Sequence, residues 1–80
     1  MAAEKSTPRN KFRQVDSAML VAVRYDKEAQ HLDVIFRTGD KYRYLRVPQF
    51  EFDALMNAES KGQYMHQRIL GDRYKFERLD

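Results

Sequence analysis

The chain has 80 residues, no cysteine and a formal charge of +3 at neutral pH, which suffices for one domain and excludes disulfide frameworks, thiolate zinc sites and cysteine nucleophiles. A chain of this size buries only roughly 60% of the surface its unfolded form exposes, so the core is thin and a second copy is a natural supplement. The longest apolar run, Ala18 to Val23, is far shorter than the ~20 residues that span a bilayer, and the N-terminus lacks the apolar core of a signal peptide; no membrane partner is expected and the location expected is cytoplasmic.

Residues 1–14 carry Lys5, Arg9, Lys11 and Arg13 against Glu4, so the whole excess of charge lies there and residues 15–80 are formally neutral. With Pro8, polar residues and one large apolar side chain, Phe12, this segment buries too little surface to offset its ordering entropy. It reads as a flexible basic tail ahead of a single domain over 15–80. From Val15 to Tyr25, β-branched, aliphatic and aromatic residues without helical period predict a strand, closed by the polar turn Asp26-Lys27-Glu28-Ala29-Gln30. Leu32, Val34 and Phe36 then alternate with Asp33 and Arg37, the period of a half-buried strand, and Thr38-Gly39-Asp40 turns the chain with glycine at a positive φ. The third strand, Lys41 to Val47, sets Tyr42, Tyr44 and Arg46 on one face and Lys41, Arg43, Leu45 and Val47 on the other. Neither face is purely apolar, so which one is buried is open.

Pro48 ends this strand and suits the first turn of a helix. The stripe Phe52, Leu55 and Met56 carries that helix to about Glu59, with Glu51 on its outer face. Ser60, three residues before Gln63, has the form of a capping box and opens a second helix with Met65 and Ile69 on a narrow buried edge. Gly71 ends it, and Tyr74 to Leu79 alternates as a closing strand. The expected fold is α+β, a small antiparallel sheet of three to four strands in the order β-β-β-α-α-β, covered by two helices.

Charge segregates within the neutral body. Residues 37–46 hold Arg37, Lys41, Arg43 and Arg46 against Asp40, whereas residues 47–60 hold Glu51, Asp53 and Glu59 against no base. A sheet face showing Tyr42 and Tyr44 beside Arg37, Lys41, Arg43 and Arg46 would offer stacking platforms with phosphate-binding charge at hand. The alternative packs both tyrosines under the helices as core aromatics. Lys61, where the second helix opens, is a further candidate anion contact, because the free N–H groups of a helix start attract anions. His31 and His66 stand apart, and Ser17 has no nucleophile elbow around it and reads as a backbone-bonding serine. No catalytic residue, metal set or cofactor is therefore expected.

Ser17, the pair Tyr25-Asp26, Leu32-x-Val34-x-Phe36, Gly39, Tyr42-x-Tyr44, Val47-Pro48, Leu55-Met56-Asn57-Ala58, Ser60-Lys61-Gly62-x-Tyr64 and Ile69 follow one another in this order. The ordered set resembles the KTSC domain family over Val15 to about Ile69. That family is found as lone small bacterial proteins and behind lysyl-tRNA synthetase-like chains, and RNA binding is the usual suggestion for it. The chain departs from the family pattern at Arg24, where glycine is common, and at His66, where asparagine is common. The resemblance and the residues together lead to a small non-catalytic binding module for RNA or another nucleic acid. The alternative is a protein–protein interaction or homodimerisation module, which Phe50-x-Phe52 supports because one Phe lies beyond the buried stripe.

Overall fold

The computed structural model describes residues 11–79. One antiparallel meander is built from β1 (Arg13–Gln14), β2 (Leu20–Asp26), β3 (His31–Phe36), β4 (Lys41–Tyr44) and β5 (Phe76–Leu79), each strand bonded to the next. Between β4 and β5 come α1 (Gln49–Asn57) and α2 (Lys61–Tyr64), the latter running on as a π-helical turn over Met65–Ile69. This is the expected α+β fold with one strand more than the three to four expected. The extra strand is β1: Arg13 and Gln14, which by sequence read as the end of the tail, pair with Val23 and Ala22. A ladder is made by backbone groups, so polar residues can occupy the open edge of β2 without burying their side chains. The rest of the basic tail, residues 1–10, lies outside the described residues.

Local chemistry sets the boundaries. β2 begins at Leu20 because the Ser17 hydroxyl accepts the N–H groups of Met19 and Leu20 at 3.1 and 3.2 Å, which turns the chain first. The Asp26 carboxylate accepts the N–H groups of Glu28 and Ala29 and shapes the β2–β3 turn, which Gln30 closes at φ 60°. Gly39 (φ 97°) and Gly71 (φ 86°) take the left-handed conformation where β3 turns into β4 and where the π turn is left behind. β4 stops at Tyr44 rather than at Val47. Arg46 takes φ 58° and breaks the extended run, while Leu45 and Val47 donate their N–H groups to the carbonyls of Lys75 and Gln30.

On one face of the sheet Val23, Leu32, Val34 and Tyr44 meet Leu55, Met65 and Ile69, with Leu20 and Val47 closing the ends, and none of the nine is more than 4% exposed. Each fully buried aliphatic side chain here contributes ~1.5–3 kcal/mol relative to exposure. The Leu70 N–H reaches back five residues to the Met65 carbonyl at 2.8 Å, and this π turn keeps both Met65 and Ile69 out of solvent. Pro48 caps α1 from just outside its first turn, and the Ser60 hydroxyl accepts the Gln63 N–H at 3.2 Å as the capping pattern predicts.

Glu51 corrects the sequence reading, which sets it on the outer face of α1: it is 2% exposed. It stands four residues before Leu55 and so shares the inward stripe. The hydroxyls of Tyr64 and Tyr74 donate to its carboxylate, the latter at 2.9 Å, and Arg68 Nε lies 3.7 Å away. Burial and the bond to Glu51 push both phenols up, Tyr74 to about 12. One carboxylate thus ties α1 to α2 and to the segment leading into β5. Among the described residues no helix is long and apolar enough to cross a membrane.

Candidate nucleic-acid interface

The seven residues that the sequence singles out do not share a face. Alternation along β4 puts Tyr42 and Tyr44 toward the helices and Lys41 and Arg43 on the opposite, outer face. Tyr44 is a core residue at 4% exposure, so the packed arrangement holds for it, and burial followed by the proximity of Tyr42 pushes its hydroxyl up to about 12. Arg43 is held on the outer face by Asp33: its Nε and Nη2 donate to the two carboxylate oxygens at 2.8 and 3.1 Å. Lys41 is exposed on that same face. Arg37 donates from Nε to the Ser17 carbonyl at 2.9 Å, and Lys61 donates to the Ala58 carbonyl at 3.1 Å. Lys61 therefore anchors the α1–α2 turn.

The outer face is a row of alternating charge across the strands. Arg24 from β2 bonds Asp33 at 2.8 Å through Nη2 and lies over the Phe12 ring at 4.1 Å, while Arg43 also approaches Glu77 at 4.0 Å. Asp33 is 3% exposed between the two arginines. Burial works to raise its pKa, but the hydrogen bonds and charges of Arg43 and Arg24 outweigh it and hold the carboxyl below its ordinary value. A shallow cavity of about 240 Å³ lined by Arg24, Asp26, His31, Asp33 and Arg43 lies over this row. Its cations are already committed to a carboxylate.

Free cationic surface is found elsewhere. Because Arg46 leaves the strand at φ 58°, it meets the segment entering β5, and together with Leu45, Arg73, Tyr74 and Lys75 it lines a cleft of about 590 Å³. The Leu45 N–H bond to the Lys75 carbonyl at 2.8 Å stitches the two walls together. Arg46, Arg73 and Lys75 are all exposed, and none of the three pairs with a carboxylate among the described residues.

Behind the same segment lies a second groove, of about 450 Å³, lined by Phe36, Tyr42, Tyr44, Leu70, Gly71, Asp72 and Phe76. Tyr42 meets Phe36 and Phe76 edge-on, with centroids 6.0 and 5.6 Å apart, and Phe76 is 55% exposed. Arg78 lies over the Tyr42 ring at 5.7 Å and is bonded to Asp40 at 2.7 Å. Within residues 70–76, then, Leu70, Gly71, Asp72 and Phe76 line the aromatic groove and Arg73, Tyr74 and Lys75 the cationic cleft.

Of the predicted set only Arg46 and Tyr42 fall into these two hollows with accessible surface. Arg73, Lys75 and Phe76 escape sequence reasoning because the run Tyr74 to Leu79 reads simply as an alternating strand. The signal that could have found them is two bases flanking an aromatic, Arg73-Tyr74-Lys75, two residues after Gly71. No group of three His, Cys, Asp or Glu side chains among the described residues is placed to hold a metal.

The KTSC domain model matches residues 16–74, close to the span carried by the sequence resemblance. A lysine–tRNA ligase of Nostoc sp. is 39% identical over 64 residues, a match covering 80% of this chain and 11% of that enzyme. An uncharacterised protein of Stutzerimonas stutzeri is 36% identical over 66 residues, covering 82% of this chain and 93% of that protein. The crystal structure of a KTSC domain protein from Yersinia pestis superposes with a TM-score of 0.84 at 27% identity, over 88% of this chain and 97% of the other. The chain thus spans about a tenth of the ligase it matches and nearly the whole of the two small proteins, and from the extent of these matches and the shared fold it belongs to the KTSC domain family.

Proposed function

We propose that the chain is a non-catalytic RNA-binding module that holds phosphates in the cleft of Arg46, Arg73 and Lys75. The observation that carries this reading is three exposed cations, unpaired among the described residues, converging on one hollow of about 590 Å³, whereas Arg24, Arg37, Arg43, Lys61, Arg68 and Arg78 are each tied to a carboxylate or carbonyl. A cation already paired gains little from a phosphate, whereas an unpaired one releases counterions from the nucleic acid on contact. The occurrence of relatives within lysine–tRNA ligases, enzymes named for a tRNA substrate, supports the same reading. A cytoplasmic setting goes with it. The expected strength is modest, because three phosphate contacts give a slope of only about −2 in log K against log salt on single strands.

The test is fluorescence anisotropy of labelled RNA titrated with wild type and with R46Q/R73Q/K75Q at two salt concentrations. Salt-dependent binding by wild type, with the variant folded but at least ten-fold weaker and flatter in salt, supports the cleft. Equal binding by both overturns it. A second reading, a protein-interaction or homodimer surface, has Phe50 in its favour, which is 64% exposed on α1. That reading predicts association that survives salt and is lost in Phe50→Ser.

A further inference from the structure

Resting on the RNA reading of the adjoining cleft, we infer that the aromatic groove of Phe36, Tyr42 and Phe76 is a subsite for an unpaired nucleobase, so that the ligand is single-stranded RNA. Three observations converge. Phe76 keeps 55% of its surface exposed in a chain with a thin core, although Tyr42 and Tyr44 stand within ring-contact distance of it and Phe36 meets Tyr42 in turn. The hollow they line, about 450 Å³, has the scale of a small-molecule site and has Gly71 at its wall, where no side chain obstructs entry. And one segment contributes to both hollows, residues 70–72 and 76 to the groove and residues 73–75 to the cleft. A strand laid across that segment puts phosphates on Arg46, Arg73 and Lys75 and turns a base onto Phe76. A duplex keeps its bases stacked inside and cannot do this.

The groove also carries a means of choosing the base. Asp72 lines it and is exposed, with no hydrogen bond or ion pair to another described residue. A carboxylate accepts from an exocyclic amino group, as on cytosine N4, but it faces repulsion from the carbonyl oxygens that flank the single N–H of uracil. The subsite therefore takes amino-bearing bases ahead of uracil. Cytosine and uracil isolate this effect from stacking, being pyrimidines of the same size.

The chain has no tryptophan, so F76W supplies a single fluorescent reporter. Titrating it with oligocytidine, oligouridine and a perfect RNA duplex, beside anisotropy on wild type, F76L and D72N with melting curves for each, tests the inference. The expected results are quenching of the F76W indole fluorescence by single strands only, a roughly ten-fold or greater loss of single-strand affinity in folded F76L, and a several-fold preference for oligocytidine that disappears in D72N. If wild type binds RNA with the salt dependence of the cleft but the F76W indole is not quenched, or F76L binds as well as wild type, the base subsite is overturned while the RNA reading stands. If oligouridine binds as well as oligocytidine, the role of Asp72 is overturned. If wild type binds no RNA at all, both readings fall together.

Discussion

Asp33 shows how a single residue can fix the outer face of a small sheet. Its carboxylate is 3% exposed and takes hydrogen bonds from arginines on both neighbouring strands, so it binds β2, β3 and β4 by side chains as well as by backbone. Asp33→Asn leaves two guanidinium groups without their counter-charge. Because those arginines retain 29% of their side-chain surface, the expected loss is about 2 kcal/mol, below what a fully buried pair would cost, read as a lower urea midpoint. The pH dependence follows from the same pairing. The folded-state pKa of Asp33 is lowered, so its contribution is present above the unfolded value near 3.8 and is lost as pH falls through the folded value. Wild type should lose stability in that acid range more steeply than Asp33→Asn. Tyr44 and Tyr74 work in the opposite direction: both are raised from 10.0 to about 12, so stability is full below about pH 10 and declines as pH rises from there toward 12. Gln30 sits at φ 60° with an exposed side chain, and Gln30→Gly should raise the melting temperature by relieving up to about 1 kcal/mol of left-handed strain. An unchanged or lower melting temperature would contradict that assignment.

Among the elements, periodicity makes the strands and α1 legible and leaves their orientation unread. Leu32, Val34 and Phe36 alternate unambiguously, whereas β4 offers Tyr on one face and Arg on the other, and only the pairing of Arg43 with Asp33 on the adjacent strand decides which is buried. That is a long-range fact with no local signal. Arg46 carries the same lesson, since a left-handed non-glycine residue interrupts a run that reads as continuous strand and moves its guanidinium from the sheet into the cleft. Glu51 reads as an outer residue because a charged side chain on an apolar stripe is ordinarily solvent-facing. Here Tyr64 and Tyr74, 13 and 23 residues farther along, supply the buried donors. Glu51→Ala leaves two phenols without their acceptor and should cost about 2–4 kcal/mol, against about 1 kcal/mol for Tyr74→Phe, in equilibrium unfolding. The π turn has no signal in the sequence either, although the buried pair it serves, Met65 and Ile69, is readable from its spacing.

At the scale of the whole molecule, the sheet divides the charge that sequence places in one basic hairpin. The outer face neutralises Arg24 and Arg43, the core face takes Tyr44, and the segment 70–76 lines both a cationic cleft and an aromatic groove. The proposed RNA site is thus assembled from the β4–α1 connection and the approach to β5, two loops that the antiparallel meander brings side by side. The most direct measurement is two-dimensional amide NMR of the labelled chain titrated with a short single-stranded RNA. The account predicts shifts concentrated at Leu45, Arg46 and the segment 70–76, with the outer-face amides of Arg24, Asp33 and Arg43 unmoved. Shifts confined to the outer face or to the N-terminal tail, or no shifts at RNA concentrations that saturate anisotropy, would contradict it.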